Sequence, residues 1–300
     1  MDVLSLFDGM SCGMLALQRV GIPVTQYYSS EIKKSAIQVS GSNFPTIIRM
    51  GDILKWREWD LPRIDLLIGG SPCQDFSIAK ATSGKDWKYG LTGDKSSLFY
   101  VYLDIYRHYK SLNPEMKFLL ENVKMKKDSK RQLDEYLGVT GRTIDSKFFS
   151  YQTRNRTYWT DIEYNHHIED NGADFQNFIG SGDLSETKVN RTPSRERMWN
   201  NGGGRTNVKA CENITKAKKI GCLMRKQDRA PNSGLIEHED FCRYLSRREL
   251  ELAQTVPAGY TDAVSYNQAQ DLLGDGWTID VVAHIFKGLT PNQNSERNGR

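Results

Sequence analysis

The 300-residue chain has few of the devices that staple, anchor or repeat a protein. Its five cysteines, an odd number with no C-x-x-C pair, argue against a disulfide framework and against a zinc knuckle, so reduced thiols are the default. No apolar run approaches the roughly 20 residues of a membrane span. Met1-Asp2-Val3-Leu4 carries no basic leader, so the protein is expected to stay in the cytoplasm, with neither membrane nor metal as a partner. There is no internal repeat. The dinucleotide fingerprint G-x-G-x-x-G is also missing, which disfavours a nicotinamide oxidoreductase. A formal charge of +4 is too small to identify a polyanion partner, although an uneven distribution of it could.

The first half alternates short apolar runs with amphipathic stretches. VLSLF (3–7), VTQYYSS (24–30), the short stretch 46–48, IDLLIGG (64–70) and MKFLLENV (116–123) read as strands. CGMLALQRVG (12–21), residues 32–39 and SSLFYVYLDIYRHYKSL (96–112) read as helices between them. Such alternation predicts an α/β fold with a doubly wound, mostly parallel sheet. From 165 to 235 the apolar runs thin out in favour of Asn, Gly, Ser, Arg and Lys, including NNGGGR at 200–205, which suggests an inserted, loop-rich region. Helical patterning resumes over 241–254 and 266–274, so that 236–289 returns to the domain begun by 1–164. The polar tail 290–300 is expected to be disordered.

In open α/β sheets, ligands gather at the carboxyl ends of the strands. The first strand ends in FDGMSCG (7–13), whose glycines let backbone approach a ligand, although a lone turn of this kind is equally compatible with tight turning alone. Glu31 ends the second strand and Asp52 follows the third, and the three features together describe an adenosine-type pocket. The fourth strand ends in Gly69-Gly70-Ser71-Pro72-Cys73-Gln74. By residue type alone a single cysteine is most often a core thiol, but here glycines and a proline hold it where ligands bind. The fifth strand ends in Glu121-Asn122-Val123, and a carboxylate there is costly unless it is paired or used. Adjacent strands would set Glu121 beside Cys73. Gln152-x-Arg154-x-Arg156 precedes the strand TYWTDI, and alternation sends both arginines to one side.

These residues, in this order, resemble the DNA cytosine-C5 methyltransferase family over about 2–160 and again over about 240–289. The echoes LFDGMSCG, IGGSPCQDFSIA, FLLENVKMKKDSKRQL and YTDAVSYNQAQDLLGDGWTIDVVAHIF are most similar to its vertebrate-type de novo members. Because the chain starts at the first strand, a compact prokaryotic or phage-like enzyme is expected. The resemblance implies a class I, Rossmann-like methyltransferase domain that transfers methyl from S-adenosylmethionine to C5 of a flipped-out cytosine in double-stranded DNA. It implies Cys73 as the nucleophile, Glu121 beside the base, Asn122 holding the loop, and Arg154 and Arg156 steadying the base oxygen and the carboxylate. It also implies that the cofactor lies against Phe7, Asp8, Gly9, Met10, Ser11 and Cys12, with Glu31 at the ribose, Asp52 and Ile53 at the adenine, and Pro72, Asp275, Gly276 and Trp277 closing the site. The alternatives are a tRNA cytosine-C5 methyltransferase and a catalytically inactive DNA-binding accessory protein.

Residues 186–231 hold twelve Lys and Arg against four acids, a local excess larger than the charge of the whole chain. A basic, glycine-rich region on an otherwise acidic domain suits phosphate-backbone binding. Lys216, Lys218, Lys219, Arg225 and Lys226 are the expected contacts. Target sequence and oligomeric state, a homo-oligomer included, stay open.

Overall fold

The parallel half of the sheet is built from apolar runs that are buried on both faces. In the computed structural model, whose described residues are 1–71, 97–190, 193, 212–225, 233–237 and 241–290, β1 (Asp2–Leu6), β2 (Gln26–Ser30), β3 (Ile48–Arg49), β4 (Leu66–Gly70) and β5 (Lys117–Val123) run parallel. They are completed by antiparallel β7 (Asn155–Thr160) and edge strand β6 (Arg142–Asp145), in the order β3-β2-β1-β4-β5-β7-β6. Side-chain alternation splits β1 between two cores. Val3 joins Ala16, Leu17, Ile68 and Val282 on one face. Leu4 joins Leu67, Phe99, Phe118 and Leu120 on the other.

Helix α1 (Cys12–Arg19) and α2 (Lys34–Asn43) connect the first strands, while α3 (Ser97–Leu112) and α4 (Lys127–Leu137) flank β5. The strand order reverses between β1 and β4, and crossings on either side of that point leave a crevice at the strand ends. Gly13 allows α1 to lie close on the sheet: a Cβ there would come within 2.2 Å of Ile68 Cδ1. At the far end of the chain, α5 (Arg247–Ala253), α6 (Tyr266–Asp275) and α7 (Ile279–Phe286) complete the α1 face. Arg19 is paired with Asp280 at 2.5 Å, and Tyr260 donates to the Met10 carbonyl at 2.6 Å.

The reading of 241–254 as one helix needs correction. Phe241–Arg243 is a strand, β10, paired antiparallel with β8 (Lys188–Asn190) and β9 (Ile236–Glu237). The helix starts only at Arg247, behind a capping box in which Ser246 and Glu249 satisfy each other's backbone N–H. The non-local partner decided the state of Phe241–Arg243, since three residues carry too little periodicity to do so. This small sheet draws strands from both sides of residue 235. Phe175, Ile214, Ile220 and Leu223, from within 165–235, are buried in the same core as α7. The second helix also begins later and runs longer than 32–39, leaving Ile32 exposed beside Glu31.

Among the described residues, no helix is long and apolar enough to cross a membrane, and no group of three or more His, Cys, Asp or Glu is placed to hold a metal ion. The tail beyond residue 290 lies outside the described residues.

Candidate active site

The turn after β1 is held from below by a buried carboxylate. Asp8 accepts two hydroxyls on each oxygen: Ser5 at 2.6 Å and Tyr27 at 2.7 Å on Oδ1, Ser11 at 2.6 Å and Ser29 at 2.7 Å on Oδ2. Ser11 and Ser40 are also hydrogen bonded, and Arg49 donates to the hydroxyls of Ser29 and Ser40 at 3.2 and 2.7 Å. The network holds Phe7, Gly9 and Ser11 in left-handed conformations, φ 55°, 58° and 62°. That geometry is costly for Phe and Ser and persists only where its surroundings impose it. Burial and the neighbouring Asp8 push the Tyr27 hydroxyl well above its ordinary range, so it stays a donor.

Glu31, at the end of β2, ties the same turn to the next strand. Its Oε2 accepts the Gly9 N–H at 2.8 Å, and its Oε1 accepts those of Ile32 and Lys33 at 2.8 Å each. Asp52 caps the 3-10 helix Ile53–Glu58 through the Leu54 N–H at 3.0 Å. Ile53 is buried. Beside these acids stand two apolar side chains that the sequence reading did not single out, Ile32 and Leu54, 70% and 63% exposed. Their signal was present in the sequence, as each is an apolar residue within two positions of a strand-end acid.

Glu121 lies opposite Gly70 in the β4–β5 register. Its Oε1 pairs with Arg156 Nε at 3.1 Å, and its Oε2 accepts the Trp277 indole N–H at 3.0 Å. Burial pushes its pKa above the ordinary carboxylate value, opposed by the charges of Arg156 and Arg154 and by the Trp277 bond. Gly70 is required by crowding: a Cβ there would sit 3.0 Å from Trp277 Nε1 and 3.1 Å from Glu121 Oε2. Asn122 donates to the Ser71 carbonyl at 3.2 Å and to its hydroxyl at 3.0 Å, so it fixes the last described residue before the Cys73 segment. Pro72 and Cys73 themselves lie outside the described residues.

The two arginines do different things. Arg156 serves the carboxylate. Arg154 is buried and spends its guanidinium on backbone carbonyls: Leu223 at 2.8 Å, Gly274 at 3.1 Å and Gly276 at 2.8 Å. Its expected contact with a base oxygen is not among these bonds. Arg154 acts on Glu121 only through space and clamps the loop that carries Trp277. Asp275 of that loop pairs with Lys33 Nζ at 3.2 Å and with Arg225 at 3.6 Å.

The basic residues divide in the same way. Lys219 donates to the carbonyls of Lys147 at 2.7 Å and Ser150 at 3.2 Å, and Arg225 faces Asp271 and Asp275. Lys219 thus ties neighbouring segments together, while Arg225 is exposed beside its two acids. Lys216 and Lys218 are exposed, and Lys226 lies outside the described residues. A cavity of about 760 Å³ is lined by Arg142, Tyr158, Asp161, Glu163 and His166 among others, from β6, β7 and the residues that follow β7.

Residues 1–138 match the model of the C-5 cytosine-specific DNA methylase family. The chain is 34% identical over 169 residues to orphan methyltransferase M.Rho11sI of Bacillus phage rho11s, covering 52% of this chain and 32% of that protein. It is 33% identical over 153 residues to type II methyltransferase M.NgoBV of Neisseria gonorrhoeae, covering 48% of this chain and 34% of that protein. The chain thus spans about a third of the length of these relatives. Among solved structures, an Entamoeba histolytica methyltransferase, EhMeth, has a TM-score of 0.73 at 13% identity, covering 97% of this chain and 99% of that one, a likeness of fold alone. Residues 1–138, the part that matches the C-5 cytosine-specific DNA methylase model, supply the turn after β1, Glu31, Asp52, Gly70 and Glu121.

Proposed function

We propose that the chain transfers a methyl group from S-adenosylmethionine to C5 of a cytosine flipped out of double-stranded DNA. The observation that carries this reading is the placement of Glu121: a buried carboxylate held by Arg156 and opposite Gly70, which precedes Cys73 by three positions. The left-handed turn of residues 7–11, Glu31, the exposed faces of Ile32 and Leu54, and Asp52 suit an adenosine with ribose hydroxyls and a flat base. Glu31 has three N–H donors against about four lone-pair sites, which leaves one for a hydroxyl. When bound, the cofactor supplies an electrophilic methyl sulfonium.

Cytosine C5 is a poor nucleophile, so the protein must make it a better one. Addition of the Cys73 thiolate to C6 pushes electron density to C5 and N3. Glu121, whose pKa is raised by burial, donates or shares a proton at N3. Arg156 holds that carboxyl in place. Once C5 carries the methyl group, loss of the C5 proton to a base re-forms the C5–C6 double bond and expels the thiolate, and the N3 proton returns to Glu121. Asn122 fixes the base of the Cys73 loop through Ser71. The target atom is out of reach inside a duplex, which is why flipping belongs to the reading.

The test offers duplex DNA and tRNA to the purified chain with labelled cofactor, followed by trapping on 5-fluorocytosine DNA. Methylation of DNA and a covalent adduct lost in Cys73→Ala are expected. Methylation of tRNA alone overturns the DNA assignment, and full activity of Cys73→Ala overturns the mechanism.

A further inference from the structure

Trp277 connects the turn after β1 to the buried carboxylate. Its backbone N–H faces the thiol of Cys12, the first residue of α1. Gly276, just before it, packs so closely that a Cβ would come within 2.9 Å of Met10 Cε and 3.0 Å of the Leu272 carbonyl. Arg154 fixes the same loop through the Gly274 and Gly276 carbonyls. The indole is thereby carried across the strand ends, and Gly70 leaves room for its Nε1 to reach Glu121 Oε2. Among the described residues, the charged and titratable groups facing Glu121 are Arg154, Arg156 and Tyr158 on or beside β7 and Cys12 on α1. Of the donors to its two oxygens, Arg156 comes from the neighbouring strand and Trp277 from the carboxyl-terminal segment.

We propose that Trp277 is a positioning residue for Glu121, its indole N–H aiming the carboxyl and competing, at Oε2, with the proton that the base has to receive. The inference rests on the function proposed above, because that reaction makes Glu121 a proton donor. A donor on a carboxylate oxygen favours the ionised form, and removing it favours the protonated form. Trp277 therefore restrains Glu121 from taking up its proton early, and a base edge that displaces the indole releases it.

The test replaces Trp277 with 3-benzothienylalanine, which keeps the ring's shape and exchanges its N–H for sulfur, and in parallel makes Trp277→Phe. The Glu121 carboxyl is followed by carbon-13 NMR titration in the protein without DNA or cofactor, its signal assigned by comparison with Glu121→Gln. Both replacements are expected to move the Glu121 titration to higher pH. In the benzothienyl protein the alkaline limb of the kcat profile should move in the same direction. A titration that stays at the wild-type position in the benzothienyl protein overturns the proposal and leaves the methyltransferase reading intact. A wild-type chain that methylates neither DNA nor tRNA overturns that reading instead, whatever the titration does. If Trp277→Phe fails to fold, the benzothienyl protein still decides the matter.

Discussion

Glu121 and Trp277 are 156 positions apart in the chain, yet the indole nitrogen lies 3.0 Å from the carboxylate. A group that shares its oxygens between a cation from the adjacent strand and a neutral donor from the loop before the helix Ile279–Phe286 has its protonation set by tertiary structure. The consequences can be measured.

The first concerns pH. Burial raises the pKa of Glu121 in the folded state above its ordinary value of 4.5, so the folded chain binds more protons than the unfolded one just above that value. The stability Glu121 contributes is fully present below its unfolded pKa and is lost as pH rises through the folded one. Subtracting the Glu121→Gln profile from the wild type, by urea denaturation between pH 4 and 8, should give a difference that falls with pH from roughly 4.5 upward. A flat difference would show that the carboxyl is not shifted. Glu121→Gln should also lower kcat by about 10²–10⁴-fold with duplex affinity retained.

Asp8 carries no direct chemistry in the proposed reaction, yet its loss should be felt at the cofactor. Asp8→Ala leaves the hydroxyls of Ser5, Ser11, Tyr27 and Ser29 without their acceptor in a buried setting. A cost of about 3 kcal/mol is expected from stranded donors. Because the same network shapes residues 7–11, calorimetric affinity for S-adenosylmethionine should fall more than kcat at saturation. Unchanged thermal stability would contradict the network's role.

The buried pair Arg243–Glu249, with bonds of 2.7 and 2.8 Å, joins the small sheet to α5. Arg243→Met strands a buried carboxylate and should cost about 3–5 kcal/mol. Glu249 also accepts the Gly180 and Ser246 N–H groups at 2.7 Å each, so adding Glu249→Leu should recover only part of that loss. Full recovery in the double-mutant cycle would mean that those two backbone bonds contribute nothing.

The basic residues near 216–225 should separate into two classes. Lys216→Gln with Lys218→Gln should leave stability unchanged and lower the salt slope of duplex binding by about 1.8, if both meet phosphates. Lys219→Met should instead lower Tm, because its ammonium ties residues 147 and 150 to the following region. A Lys219 variant that loses DNA affinity at constant Tm would reverse the assignment.

The inner strands of the parallel sheet were legible because they are apolar runs buried on both faces, IDLLIGG and FLLENV above all. Their ends then located Glu121 and Glu31. Edge strand β6 escaped notice: it is four residues long and half exposed, so it carries almost no periodicity. Phe241–Arg243 was misread because one partner, Lys188–Asn190, lies more than 50 positions away and the other, Ile236–Glu237, is only two residues long, whereas the stop signal against a continuous helix, the Ser246 and Glu249 capping box, was there to be read. At the site, residue type and spacing could say that Arg154 and Arg156 share a side. They could not say that one meets a carboxylate and the other three carbonyls, since those carbonyls belong to loops brought in from beyond residue 220.

The placement of Trp277 has a consequence for biosynthesis. Strands β1 to β5 emerge from the ribosome early and can pair as they appear, but the carboxylate at their ends gains its second donor only when residue 277, and the helix Ile279–Phe286 that seats it against α1, have also been released. A nascent chain halted near residue 260 would carry a formed sheet and the Arg156 pair with an incompletely held Glu121. This centre is therefore completed only once residues 277–286 have left the ribosome, well after the strands whose ends it joins.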